Sequence, residues 1–132
     1  MRRNPSIRWA LACGLLAFMA QAQAQAQTAP GWTGTWKGVK GALLSVMESG
    51  GSMDVWGTDE ASVFRLSCVV NQKDPAQASC VGEGANHRRG TRFTYRNKLR
   101  LSASGITEEW EAQEYLGGAE GRETFTRVAT AK

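Results

Sequence analysis

Few side chains in this chain of 132 residues are equipped for chemistry. The single histidine, His87, stands in the polar stretch Gly84 to Gly90 between Asn86 and Arg88. A hydrolytic triad needs a histidine oriented by an acid and within reach of a nucleophile, and nothing near His87 supplies either. Cysteines occur at positions 13, 68 and 80, with no CxxC spacing and no histidine cluster beside them, so neither a zinc site nor a redox motif is expected. Glu108 and Glu114 form a carboxylate pair on paper. Six residues apart on one strand they stand about 20 Å from each other, too far for glycosidic acid–base work. The chain is expected to be non-catalytic, with no cofactor and no metal.

The elements that position these residues begin after an export leader. Arg2, Arg3 and Arg8 precede an apolar run from Ala10 to Ala20, and small residues then recur as Ala20-Gln21-Ala22 and Ala22-Gln23-Ala24. Residues 1–24 are expected to be a signal peptide cleaved near 22–24, which sends the product to the periplasm or the outside. Leu11-Ala12-Cys13-Gly14 loosely resembles a lipoprotein cleavage box, but the apolar run continues past the cysteine. Residues 25–31, rich in Ala and Gln, read as a loose tail, and 32–130 as one domain. Three of the 16 Lys and Arg leave with the leader, so 13 remain against 12 Asp and Glu. Near-neutral charge gives no footprint for nucleic acid, and no later stretch is apolar enough to span a membrane.

The remainder alternates in short runs separated by turn residues, the spacing of an all-β meander. Eight strands are predicted: 33–39, 42–49, 52–58, 63–70, 78–83, 91–101, 106–115 and 121–129. An oxidising compartment and an even count of remaining cysteines predict a disulfide between Cys68 and Cys80. A hairpin symmetric about Asn71 to Pro75 sets them face to face. In 91–101, Phe93, Tyr95, Leu99 and Leu101 share one face, and Arg92, Thr94, Arg96, Lys98 and Arg100 the other. A two-residue turn at Ser104-Gly105 predicts Arg100 opposite Glu109 and Lys98 opposite Glu111, a solvated charge ladder. The basic run thereby finds acidic neighbours, although Arg88 and Arg89 stay open to an anion contact. The same register sends Leu99, Trp110 and Ala112 inward, together with Glu108 and Glu114. An unpaired buried charge is costly. Both carboxylates are therefore expected at strand ends in water, with Glu114 a candidate for a ligand's polar group.

Trp32-Thr33-Gly34-Thr35-Trp36 at one end and Thr124-Phe125-Thr126-Arg127-Val128 at the other suggest first and last strands that meet. Gly-x-Trp on an opening strand with a basic residue on the closing one resembles the signature of the calycin superfamily, which includes lipocalins, fatty-acid-binding proteins and avidins. The resemblance implies a small antiparallel up-and-down barrel of about eight strands, with Gly34, Trp36 and Arg127 as a structural plug in which the guanidinium covers the indole. The nearest echo is avidin-like. Its biotin site does not carry over, because Gly38 and Ala42 stand where avidins place an Asn and a Ser, Glu123 stands at the ureido-binding Asp, and Trp-x-Gly-Gln is absent.

The function expected on these grounds is interior binding of a small, mostly apolar ligand, in the manner of a lipocalin. Trp56, Phe93, Tyr95, Leu99 and Trp110 are its predicted walls and Glu114 its polar contact. The inward residue at 55–56 stays open between Val55 and Trp56. A filled barrel acting as an envelope interaction module or inhibitor is the competing expectation, and a divergent avidin-like binder a third. An internal void favours the first; a packed interior with an exposed apolar patch favours the second.

Overall fold

Alternation of apolar and polar residues closes this chain on itself. In the computed structural model, which describes residues 31–114 and 117–129, eight strands form a closed antiparallel barrel in chain order. They are β1 (Gly34–Gly38), β2 (Leu43–Ser49), β3 (Ser52–Thr58), β4 (Ser62–Val70), β5 (Gln77–Asn86), β6 (Thr91–Ser102), β7 (Gly105–Glu114) and β8 (Gly117–Arg127). Closure leaves no sheet edge to pair with another chain. No helix occurs among the described residues, and so none there could cross a membrane. The predicted leader, residues 25–30 of the predicted tail and residue 130 of the predicted domain lie outside the described set.

β1 and β8 close the ring with Trp36 opposite Arg127 and Gly38 opposite Phe125. Inward positions recur at every second residue, and Leu44, Val46, Val55, Leu66, Ile106 and Phe125 are buried. The β2–β3 turn is a two-residue Gly50-Gly51 link in which both glycines have positive φ (59° and 86°). That geometry matches the twist of a tight hairpin and excludes most side chains. It pairs Val46 with Val55, so Val55 enters the core and Trp56 points out.

Cys68 pairs directly with Cys80 across β4 and β5, and the two form a disulfide inside the barrel. Closing a loop of this length stabilises by about 3 kcal/mol in the chain-entropy account. β5 runs three residues beyond its predicted end, to Asn86, because β4 continues to pair with it as far as Ser62 opposite Asn86. The β6–β7 hairpin also differs from expectation. Its turn is Ala103-Ser104, with Ser102 opposite Gly105, which places Lys98 opposite Glu109, Arg96 opposite Glu111 and Arg100 opposite Thr107. The offset is two residues, so every side chain keeps its face while the charge partners change.

One end of the barrel is plugged. Trp32 and Trp36 are both buried there, Trp32 Nε1 donates to the Pro75 carbonyl at 3.0 Å, and Trp36 Nε1 donates to the Trp32 carbonyl at 2.9 Å. The Arg127 guanidinium lies 4.3 Å from the Trp36 ring centroid and donates to the carbonyls of Thr33, at 2.7 Å, and Gly31. A Cβ at Gly34 would stand 2.6 Å from Arg127 Nη1, so the guanidinium needs a residue without a side chain beneath it.

Candidate functional site

The opposite end, ringed by the β1–β2, β3–β4 and β5–β6 connections, leads into a cavity of about 250 Å³. Its walls are largely aromatic: Phe64, Phe93, Tyr95, Trp110 and Phe125 all reach it. Tyr95 is the hub, with ring centroids 5.1 Å from Phe64, 5.6 Å from Phe93 and 5.8 Å from Trp110. Tilted and edge-on arrangements at these separations are favourable for aromatic rings. The rings fit because their cross-strand neighbours are glycines: Phe64 faces Gly57, Phe93 faces Gly84 and Trp110 faces Gly121. Any side chain at those three positions would collide with the ring.

Two carboxylates share this wall. Glu108 on β7 stands directly opposite Glu123 on β8, and both line the cavity. Glu108 is only 2% exposed. Its Oε1 accepts a hydrogen bond from Nδ2 of Asn97, which is also buried. The Asn97 Oδ1 has no hydrogen-bond partner among the described residues. Glu123 sits nearer the mouth, where Oε1 accepts from the Lys40 backbone N–H at 3.3 Å. A Cβ at Gly38 would run into the same carboxylate.

Burial pushes the Glu108 carboxyl up to about 7, the nearby Glu123 charge adds to the rise, and the Asn97 hydrogen bond opposes it. The Tyr95 phenol is driven well above its ordinary value by burial and by Glu108, so it stays protonated. Asp59 and Arg89 also line the cavity.

The predicted site residues divide between these places. Phe93, Tyr95 and Trp110 come together in the cavity wall. Leu99 is buried but packs in the core outside that wall. Trp56 corrects the expectation most plainly: it is 52% exposed, with Arg65 at 4.6 Å from its ring centroid on the outer surface. Glu114 ends β7 opposite Phe93, and its side chain lies outside the described residues. Glu108, expected in water at a strand end, is instead among the most buried side chains. Arg88 reaches Glu60 at 3.7 Å.

Asn97 and Glu123 were not predicted as partners of an interior carboxylate. Parity alone places Asn97 inward among Phe93, Tyr95 and Leu99, a signal that an apolar pattern hides. Glu123 meets Glu108 only through the β7–β8 register, which depends on the connection between those strands.

Wider concavities run over the outer surface, one of about 670 Å³ beside Arg65, Val81, Arg96 and Glu111. Outward side chains form most of its lining. Among the described residues no group of three or more His, Cys, Asp or Glu is placed to hold a metal ion. Compared with known proteins, the chain matches no family model and no curated protein sequence.

Proposed function

We propose that this protein is an exported, non-catalytic binding barrel that takes a small, mostly apolar molecule into its interior through the unplugged end. The observation that carries the reading is the cavity of about 250 Å³ in a barrel whose other end is sealed by two tryptophans. Cavities of about 150 Å³ lined by apolar side chains bind benzene, so this volume suits one aromatic ring with a short substituent. Tilted rings supply the apolar walls and the buried acid supplies the polar contact, the usual composition of a small-molecule site. The arrangement agrees with the calycin-like resemblance in plug and topology. A biotin-like occupant is less well served, because Ala42 in the cavity wall has no polar side-chain atom.

Native mass spectrometry of the protein purified from its own host tests this reading. A retained small molecule, lost on Ala112→Phe because the new ring fills the cavity, is the expected result. No retained mass, together with thermal unfolding unmoved by phenol or indole, overturns it. The competing reading, an envelope interaction module, is less well served: Met47, Trp56, Val69 and Val81 are all more than half exposed on the outer face of β2 to β5, but they stand opposite Asp54, Arg65, Ser79 and Ser67 rather than beside one another as a patch.

A further inference from the structure

Among the described residues, three carboxylates reach the cavity against a single cation, Arg89. Glu108 and Glu123 sit side by side on neighbouring strands, Asp59 joins them in the lining, and beneath Glu108 the buried Asn97 leaves its Oδ1 without a partner. Around them stand the faces and edges of Tyr95, Trp110 and Phe125. Adjacent carboxylates in a closed space repel, and an isolated buried charge is strongly disfavoured. In the empty barrel a proton on Glu108 relieves that repulsion. A ligand that carries its own positive charge and several N–H donors relieves it better, since it satisfies acceptors that one proton leaves unmet and gains contact with the electron-rich ring faces.

We infer that the cavity selects a small organic amine, bound as its ammonium, with Glu108 and Glu123 as counter-ions and the aromatic rings around its carbon frame. This rests on the binding reading above and names the ligand class for the same site. A metal cation is the poorer match, because no three-ligand set of His, Cys, Asp or Glu exists among the described residues. The groups facing Glu108 are Tyr95 and Asn97 from β6 and Glu123 from β8, with Asp59 and Arg89 also in the lining. Arg89 is the one cation among the described lining residues and is itself engaged in an interaction. It would recognise an acidic ligand if the inference were wrong.

An ammonium beside Glu108 favours the carboxylate over the carboxylic acid, so binding displaces the proton. Since the Glu108 carboxyl of the empty barrel sits at about 7, affinity falls as pH drops through that value.

Isothermal titration calorimetry on the exported protein tests the inference with phenethylamine, phenethyl alcohol and phenylacetate, three probes of similar size and different charge. Above neutral pH the amine is expected to bind at least about 10-fold tighter than the alcohol, a difference of about 1.4 kcal/mol. Just below neutrality its heat should depend on the buffer's ionisation enthalpy, which signals proton release. Glu108→Gln should erase most of the preference for the amine. Glu123→Gln should reduce it, and serves as the second variant if the first unfolds in a thermal melt. Equal binding of amine and alcohol overturns the amine selectivity and leaves the cavity reading standing. Tightest binding of phenylacetate overturns it in favour of recognition by Arg89. Failure of all three probes removes the binding reading as well.

Discussion

The two ends of the barrel solve opposite problems with similar residues. At the plugged end each polar atom described has a partner: the Trp32 and Trp36 indoles donate to backbone carbonyls, and Arg127 caps the stack while donating twice. At the open end aromatic rings again pack closely, but they leave a cavity and surround a carboxyl with a buried, unpartnered amide oxygen behind it. Tryptophan and arginine at one end hold the structure; tyrosine, tryptophan and glutamate at the other line a cavity. A residue type therefore says little about role until its hydrogen bonds are counted.

The comparison breaks hardest at the plug. Trp36→Ala removes a fully buried indole and leaves the Arg127 guanidinium over a void, so a loss of about 3–5 kcal/mol is expected in urea unfolding. The same truncation of half-buried Trp110 beside the cavity should cost less than half as much. Replacing both Cys68 and Cys80 by Ala should lower stability by about 3 kcal/mol, read as a fall in melting temperature under oxidising conditions.

The open end should reveal itself through pH. The Glu108 carboxyl is held at about 7 in the folded barrel against an ordinary value of 4.5, so the folded state binds the proton more tightly than the unfolded chain. The resulting stabilisation is fully present below the ordinary value and is lost as pH rises through about 7. Its size is on the order of 3 kcal/mol, and urea midpoints across this range would show it. Glu108→Gln should flatten that slope and, above neutrality, be more stable than the wild type.

Smaller effects separate cap from surface. Arg127→Leu keeps apolar cover over Trp36 but loses the cation–π contact and two hydrogen bonds, for an expected cost of about 1–2 kcal/mol. Arg122 pairs with Glu109 at 2.5 Å, yet both side chains are more than half exposed. Arg122→Ala should therefore change stability by no more than about 0.5 kcal/mol.

Much of this architecture is legible in the chain before any coordinates. Alternation fixes the faces of β6, and the turn between Cys68 and Cys80 is symmetric enough to set their pairing. Gly34, Trp36 and Arg127 carry the closure because aromatic and guanidinium must stack where β1 and β8 meet. The β6–β7 charge partners differ because moving the turn by one residue shifts the pairing register by two, which preserves every face and leaves no trace in the apolar pattern. Trp56 was recoverable: a two-residue Gly50-Gly51 turn pairs Val46 with Val55, and the neighbouring indole must then face out. Glu108 departs furthest from expectation. Its position by parity was inward, but its depth depends on how far β7 and β8 extend beyond it, and β8 begins at Gly117 rather than at position 121.

The buried acid opposite Glu123 is the feature on which the open end's chemistry turns, and carbon-13 NMR of the side-chain carboxyls measures it directly. A pH titration of the ligand-free protein should show one glutamate resonance with a midpoint near 7, absent from Glu108→Gln. If every glutamate carboxyl instead titrates below about 5, in the ordinary range, Glu108 is solvated and the account of this cavity is wrong.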